Sequence, residues 1–284
     1  MRLAATLCTI VWMTGSSHAQ TPVPGSAGKP SRAEQAAILA SVTEYAASYT
    51  RNLPNFTVTQ IIERLTLPIS GTRRASQPLL IEEQLSIVDL RETHKIVKLN
   101  GKAVTDMDEA ALGQFSRGEF GNLLAAIFSI AANTNFEWDR IANLNGRPMH
   151  VFNFRVPAAT GYELQARGRT IRVSYRGQVW ADMQTSAVMR VQLSCVDIPG
   201  NSEYKALDLT VDYKATQVAG KSYILPSQNR MRIRTALDST TQDSDYKFYR
   251  RFGAEATLVF EDSGDSAGGD EAGPPPTPIG DNAK

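Results

Sequence analysis

Apolar and polar residues alternate with a period of two over most of the second half of the chain. Between residues 189 and 195 the odd positions are apolar and the even positions polar, and the same alternation runs through residues 207–215 and 230–234. This pattern is typical of strands with one buried and one solvated face. Short connections between such segments indicate a large antiparallel sheet, not strand–helix–strand units. The predicted strands of this half cover residues 162–166, 170–175, 179–183, 188–196, 207–215 and a segment that contains Met231 and Ile233.

A helix followed by strands is predicted for the first half. Ser31 and Glu34 have the spacing of a capping box, in which each side chain bonds the backbone N–H of the other residue. Apolar side chains then recur at helical spacing, at Ile38, Val42, Tyr45 and Tyr49. Pro54 disfavours helix in the residue before it, so the helix is expected to end near residue 53. Strands are predicted from residue 56 and over residues 79–90 and 94–104.

Two Asn-Gly pairs are the strongest hairpin signals in the sequence. Asn100-Gly101 lies within the third predicted strand region, and Asn145-Gly146 joins residues 136–144 to residues 149–156. Both residues of the pair tolerate the positive φ angles of a tight hairpin turn. We therefore expect a hairpin at each pair.

One segment interrupts the strand pattern, at residues 119–130. Its large apolar side chains fall on one stripe at helical spacing, with Glu119, Asn122 and Ser129 opposite. A helix of this kind must cover an open face of the sheet. It either packs as ordinary core or lines a cavity between helix and sheet. On the second interpretation the candidate ligand-binding residues are Phe120, Leu123, Leu124, Ile127 and Phe128.

The two ends of the chain differ in composition from the body. Arg2, an apolar run from Leu3 to Met13 and small residues before Gln20 predict a signal peptide over residues 1–19. The run is too short to span a membrane, and Cys8 does not follow the cleavage point, so no span and no lipid anchor are expected. We predict a flexible lead-in over residues 20–30, one folded domain over residues 31–260 and a disordered acidic Gly/Pro-rich tail over residues 261–284. The expected location is the periplasm or the exterior.

Charge and reactive side chains exclude several function classes. The net charge of +1 for 284 residues gives no electrostatic basis for nucleic-acid binding. After cleavage the chain keeps one cysteine, Cys195, and two histidines, His94 and His150, so neither a disulfide nor a zinc-ligand spacing is available. We expect the histidines near strand ends at the surface and Cys195 buried as a small hydrophobe. Nucleophile-elbow, metalloprotease and phosphate-loop motifs are missing from the sequence, so we predict no enzyme, no metal and no cofactor.

Two charged clusters have a plain and a functional interpretation. Asp106, Asp108 and Glu109 suit a helix-capping loop better than a metal site. Arg230, Arg232 and Arg234 share one strand face, which is typically solvated. The alternative is a docking surface for anionic lipid headgroups or for the acidic tail.

One segment resembles a hairpin of the periplasmic lipoprotein-carrier (LolA-like) and lipoprotein-sorting family. Residues 179–190 read VWADMQTSAVMR, and the hairpin of that family reads V-x-I-D-x-x-T-x-x-V-x-R. Residues 209–213 and 223–226 are similar to its "DY" and "LP" strands. Asp182 and Thr185 also fit a turn held by side-chain bonds to the backbone. Through residues 53–56 and 118–121 the chain is similar, in addition, to exported proteins of unknown role.

The resemblance implies an incomplete, curved β-barrel with an N-terminal helix and a covering helix, and an apolar cavity for acyl chains. The expected fold class is therefore α+β, mostly antiparallel β. The expected function is non-catalytic binding of a lipid-like small molecule or of lipoprotein acyl chains. The alternative is a cell-envelope interaction protein that binds a protein partner through the sheet surface and has no ligand cavity.

Overall fold

The computed structural model describes residues 28–69, 76–105, 112, 118–166 and 169–252. The predicted signal peptide, most of the lead-in, the tail and the acidic residues 106–109 lie outside these ranges. The described residues belong to one compact unit that ends at Phe252. Its helices and strands are α1 (Arg32–Tyr49), β1 (Phe56–Pro68), β2 (Leu79–Val88), β3 (Arg91–Leu99), β4 (Lys102–Ala103), α2 (Asn122–Phe128), β5 (Asn135–Leu144), β6 (Arg147–Val156), β7 (Tyr162–Ala166), β8 (Arg169–Asp182), β9 (Val188–Val196), β10 (Tyr204–Val218), β11 (Lys221–Thr235) and β12 (Asp238–Arg251).

The strands form one antiparallel sheet in the order β4-β3-β2-β1-β12-β11-β10-β9-β8-β6-β5, and β7 pairs separately with the start of β8. The first long strand therefore pairs with the last one, so the two halves of the chain meet at the β1–β12 pair. Within the described residues the edge strands β4 and β5 are not paired with each other, and the barrel is not closed. The predicted α+β, mostly antiparallel class with an incomplete barrel is confirmed.

Local sequence signals produce the expected elements. The capping box at the start of α1 has both bonds, from the Glu34 N–H to Ser31 Oγ at 3.3 Å and from the Ser31 N–H to Glu34 Oε2 at 2.7 Å. The pairs Asn100-Gly101 and Asn145-Gly146 take positive φ angles between 47° and 83° and join β3 to β4 and β5 to β6.

One predicted break between strands is wrong. The pattern predicts two strands joined by a short turn, over residues 170–175 and 179–183, but β8 runs unbroken from Arg169 to Asp182. Gly177 serves a close approach between strands instead. A Cβ at Gly177 would lie 1.8 Å from the carbonyl oxygen of Gln192 on β9.

The sheet has an inner face covered by the two helices and an outer face rich in polar residues. On β9 the residues Val191, Leu193 and Cys195 face inward and are buried, as the alternation predicted. Val42 and Tyr49 of α1 and Leu124 and Ile127 of α2 belong to the same core cluster. The covering-helix prediction therefore holds for its position, although α2 has only seven residues. Glu119, expected on its polar side, is buried.

The turn after β8 is held by one carboxylate. Asp182 Oδ1 accepts hydrogen bonds from the backbone N–H groups of Gln184 and Thr185, both at 3.0 Å, and from the Thr185 hydroxyl at 2.9 Å. Asp182 Oδ2 lies 2.8 Å from Arg147 Nη2. The D-x-x-T part of the hairpin signature is thus a turn device, as its side-chain chemistry predicted.

Candidate functional site

An opening of about 500 Å³ lies between the first half of α1 and the β5–β6 hairpin. Its walls come from both elements: Lys29, Pro30, Arg32, Gln35, Ala36, Leu39, Phe136, Glu137, Trp138 and Phe152. The hairpin register places Trp138 opposite Phe152, so the two aromatic side chains lie on the inner face. On the helix side, Gln35 Nε2 donates to the Pro30 carbonyl at 2.7 Å and ties the residues before α1 to its first turns.

The opening has an apolar wall and a charged rim. Leu39, Phe136, Trp138 and Phe152 supply hydrocarbon, and Trp138 and Phe152 are buried beneath it. The exposed residues Lys29, Arg32 and Glu137 surround it. Lys29 Nζ lies 5.8 Å from the centre of the Trp138 ring, within the range of a cation–π contact. A wall of this composition favours contact with hydrocarbon, and its rim favours a polar end group.

Of the five residues predicted to bind a ligand, four lie in α2 and Phe120 precedes it, and none of them lines this opening. Leu124 and Ile127 have no solvent exposure and Phe128 is buried. The Phe128 ring stacks on Phe136, with ring centres 5.0 Å apart, so it supports the wall of the opening from behind. Leu123 packs at the edge of the same core cluster.

Phe120 lies in a different core cluster, where its ring contacts Phe56 and Tyr246 at centre distances of 5.5 Å. The assignment of the five side chains to ligand binding stays a prediction. The residues of the wall were not identified from the sequence. Phe136 and Trp138 are two residues apart on β5, and this spacing indicates that both side chains lie on one face of the strand.

A layer of buried polar side chains interrupts the inner face where β1, β11 and β12 meet. It consists of Gln60, Asn229, Gln242, Ser244 and Tyr246, together with Glu119 from the segment before α2. Asn229 Nδ2 donates to Glu119 Oε1 at 2.7 Å, and the Tyr213 hydroxyl donates to the Glu119 carbonyl at 3.0 Å. Burial, with the Glu119 charge nearby, raises the pKa of Tyr246 well above its usual range.

The outer face carries a groove of about 440 Å³ that crosses six strands, from β2 to β9. Apart from Ile61 and Leu80, the residues that line it are polar. The Arg190 guanidinium donates two hydrogen bonds to the Asp212 carboxylate, and Arg230 forms an ion pair with Asp243. The hydrogen bond that Arg190 donates to Asp212 raises the pKa of Arg190. Glu63 and Asp245 add further carboxylates to the groove.

The arginine stripe predicted on β11 is exposed. Arg230, Arg232 and Arg234 all lie on the outer face, and Asp243 pairs with Arg230. Arg232 stands opposite Asp208 of β10 in the strand register. The stripe is therefore part of a mixed-charge solvated surface.

The histidines do not lie at strand ends as predicted. His150 is buried in the middle of β6, and its Nδ1 accepts from Trp138 Nε1 at 3.4 Å. Burial lowers the pKa of His150, so it is neutral at pH 7. His94 lies within β3, with Nε2 2.8 Å from Glu92 Oε1 and Nδ1 3.3 Å from Glu83 Oε1.

Burial raises the pKa of Cys195 to about 12, with a smaller effect from Asp208. In the part of the chain that the structure describes, no three His, Cys, Asp or Glu side chains converge as a metal site. Neither helix in these residues has the length and hydrophobicity to cross a membrane.

No protein-family model matches the sequence, and a comparison with curated proteins gives no match. Among solved structures, the chain is similar to a LolA superfamily protein from Nitrosomonas europaea, with 12% identity over 75% of this chain and 93% of that chain and a TM-score of 0.38. It is similar to a DUF1329 family protein from Desulfovibrio piger, with 10% identity, coverage of 79% and 97% and a TM-score of 0.34. It is also similar to a domain described as an outer membrane lipoprotein-sorting protein from Vibrio parahaemolyticus, with 11% identity, coverage of 78% and 93% and a TM-score of 0.36. Two of these structures, the LolA superfamily protein and the lipoprotein-sorting domain, carry the family names that the sequence resembles.

Proposed function

We propose that the protein is an exported, non-catalytic binder of a lipid-like ligand, whose hydrocarbon part occupies the opening between α1 and the β5–β6 hairpin. The observation that carries the proposal is the wall of Leu39, Phe136, Trp138 and Phe152 around about 500 Å³. This volume is within the range of sites for small molecules, roughly 300–1,000 Å³. The stacked pair Phe128–Phe136 joins the wall to the core, so the wall is backed by packed protein.

The position of the charges supports an amphiphilic ligand. Lys29, Arg32 and Glu137 lie at the rim, where a polar end group remains in water, and the aromatic rings lie below them. A free lipid and an acyl chain attached to a lipoprotein present the same hydrocarbon to this wall. Either one fits the proposal.

Tryptophan fluorescence tests the proposal directly, because the chain from Gln20 onwards has two tryptophans, Trp138 and Trp180. Trp138 lines the opening, whereas Trp180 lies between Arg140 and Arg190, whose Cζ atoms are 5.4 and 5.7 Å from its ring centre. The Trp180→Phe variant therefore reports on Trp138 alone, and Trp138→Phe reports on Trp180 alone. A brominated fatty acid should quench Trp138 saturably and leave Trp180 unquenched. Quenching of Trp180 alone would contradict the proposed site.

A filling substitution gives a second test with a matched control. Ala36 is exposed and lines the opening, so Ala36→Phe should obstruct it without disturbing the core and weaken binding at least tenfold. Ala47→Phe is the control, since Ala47 is also exposed on α1 but lies about 16 Å further along the helix. Equal affinity in both variants would place the ligand elsewhere.

A third test is the dependence of binding affinity on the acyl-chain length of a fatty acid. Each buried methylene contributes about 0.8 kcal/mol, so two extra methylenes should tighten binding roughly tenfold until the opening is full. Affinities for fatty acids of ten, twelve and fourteen carbons, measured by displacement of a fluorescent fatty acid, give this slope. A flat series would contradict hydrocarbon burial.

The outer groove favours a second candidate function, a cell-envelope protein that binds a protein partner through the sheet surface. Six charged side chains and a volume of about 440 Å³ suit contact with polar groups, not hydrocarbon. If wild-type protein binds no apolar probe, this second function becomes the preferred one. Loss of partner binding in the Glu63→Lys, Asp245→Lys double variant would then be the test.

A further inference from the structure

Four buried polar atoms on the inner face have no hydrogen-bond partner among the residues that the structure describes: Gln60 Oε1, Asn229 Oδ1, Gln242 Nε2 and Ser244 Oγ. Their side chains are 1–3% exposed. Buried polar groups are nearly always bonded, because removing them from water without a partner is costly. Four such atoms in one place therefore indicate a missing partner.

The strand register brings these four side chains together. Asn229 of β11 stands directly opposite Ser244 of β12. Gln242 precedes Ser244 by two residues and so projects from the same face of β12. Gln60 of β1 is diagonal to Ser244, since Ile62 pairs with Ser244 and Gln60 pairs with Tyr246. Neighbours of this kind lie within about 8 Å of one another.

The bonds that these side chains do make determine which atoms are left over. Asn229 must direct its NH₂ group at the Glu119 carboxylate, 2.7 Å away, so its oxygen is the free atom. Gln242 must direct its oxygen at Arg64 Nη2, 2.8 Å away, so its NH₂ group is the free one. Both orientations follow from the fixed donor character of Arg64 and the fixed acceptor character of the carboxylate.

We propose that this polar layer is an internal binding site for neutral hydroxyl groups, filled by ordered water or by the hydroxyls of a small polyol. The occupant must donate to Asn229 Oδ1 and accept from Gln242 Nε2. An inorganic anion such as chloride accepts only and a metal cation does neither, whereas an O–H group does both. A buried water makes about three hydrogen bonds, so one or two waters satisfy the four atoms. The site is distinct from the opening beside α1 and does not depend on the function proposed above.

Cross-relaxation between water and side-chain amide protons tests the proposal, with ¹⁵N-labelled protein from Gln20 onwards in polyol-free buffer. We expect rotating-frame Overhauser cross-peaks from water to the Gln242 and Asn229 NH₂ protons, with the sign that excludes chemical exchange. The backbone amide of Val211, which is fully buried and pairs with Asn229, is the negative control. Glycerol added next distinguishes the two sources. If the water peaks persist, water is the occupant, and if glycerol methylene peaks replace them, a polyol is. No cross-peak from either molecule overturns the proposal.

The Ser244→Ala variant gives an independent readout. Ser244 Oγ has no protein partner among the described residues, so in a dry site its removal would raise the melting temperature. In an occupied site the bound hydroxyl loses a partner, and we expect a lower melting temperature and weaker cross-peaks to Gln242. Ser222→Ala, at an exposed position near the start of β11, should change neither. A raised melting temperature in Ser244→Ala overturns the proposal.

Discussion

Replacement of Asp182 by Ala should destabilise the protein through the turn between β8 and β9. The carboxylate is 2% exposed and accepts three hydrogen bonds through Oδ1, from Gln184 and Thr185. Its other oxygen pairs with Arg147, which is 45% exposed. Truncation to Ala removes all four contacts and leaves two backbone N–H groups and one hydroxyl without their acceptor.

The magnitude follows from the character of these contacts. A hydrogen bond to a charged group contributes about 1.5–3 kcal/mol, and a partly exposed ion pair contributes about 0–1 kcal/mol. The three bonds share one acceptor and the freed turn donors regain water, so the total is smaller than the sum. We expect the free energy of unfolding to fall by about 3 kcal/mol. Asp182→Asn keeps one acceptor oxygen and should lose about 1 kcal/mol.

The effect should depend on pH in a defined direction. Burial opposes ionisation of Asp182, but the bonds from Thr185 and Gln184 and the Arg147 charge outweigh it and lower its pKa. The stabilisation is therefore complete above the ordinary aspartate pKa of about 4 and is lost as the pH falls through the lower value in the folded protein.

Urea denaturation of wild type and Asp182→Ala, followed by tryptophan fluorescence, measures the difference at pH 7 and at pH 3. We expect the difference in unfolding free energy to shrink at pH 3. A difference below about 0.5 kcal/mol at pH 7, or an equal difference at both values, would refute this account of the turn.

Three further predictions concern other parts of the fold. Cys195 should resist a thiol reagent at pH 8 and react once urea unfolds the chain, because burial raises its pKa to about 12; equal rates in both conditions would mean that the faces of β9 are reversed. Leu90→Gly should raise the free energy of unfolding by about 1 kcal/mol, because Leu90 is exposed with a φ of 64° in the β2–β3 turn, and Leu237→Gly, at an exposed leucine without a positive φ, should not. Of the five side chains predicted to bind a ligand, Phe128 supports Phe136, so Phe128→Ala should weaken fatty-acid binding most in the displacement assay and also cost about 3–5 kcal/mol of stability.

The sequence alone determined the features that depend on neighbours in the chain. The start of α1 follows from Ser31 and Glu34, which bond each other across one turn. The hairpins at Asn100 and Asn145 follow from the φ angles that Asn-Gly pairs accept. The buried face of β9 follows from strict alternation, and the D-x-x-T turn follows from the reach of one carboxylate. In each case the partners lie within a few residues, so a local pattern contains the information.

Only the tertiary structure decided where distant segments meet. Alternation assigns a residue to a face of its strand but does not reveal which strand lies beside it. The opening joins Leu39 to Phe136 and Phe152, and its wall exists only because α1 lies over the β5–β6 hairpin. The polar layer depends even more on distant pairing, since Gln60 meets Ser244 and Asn229 through the pairing of the first long strand with the last. In the sequence, each of these Gln, Asn and Ser residues is a single polar interruption at an inward-facing strand position. Only the pairing of distant strands brings them together as the proposed site.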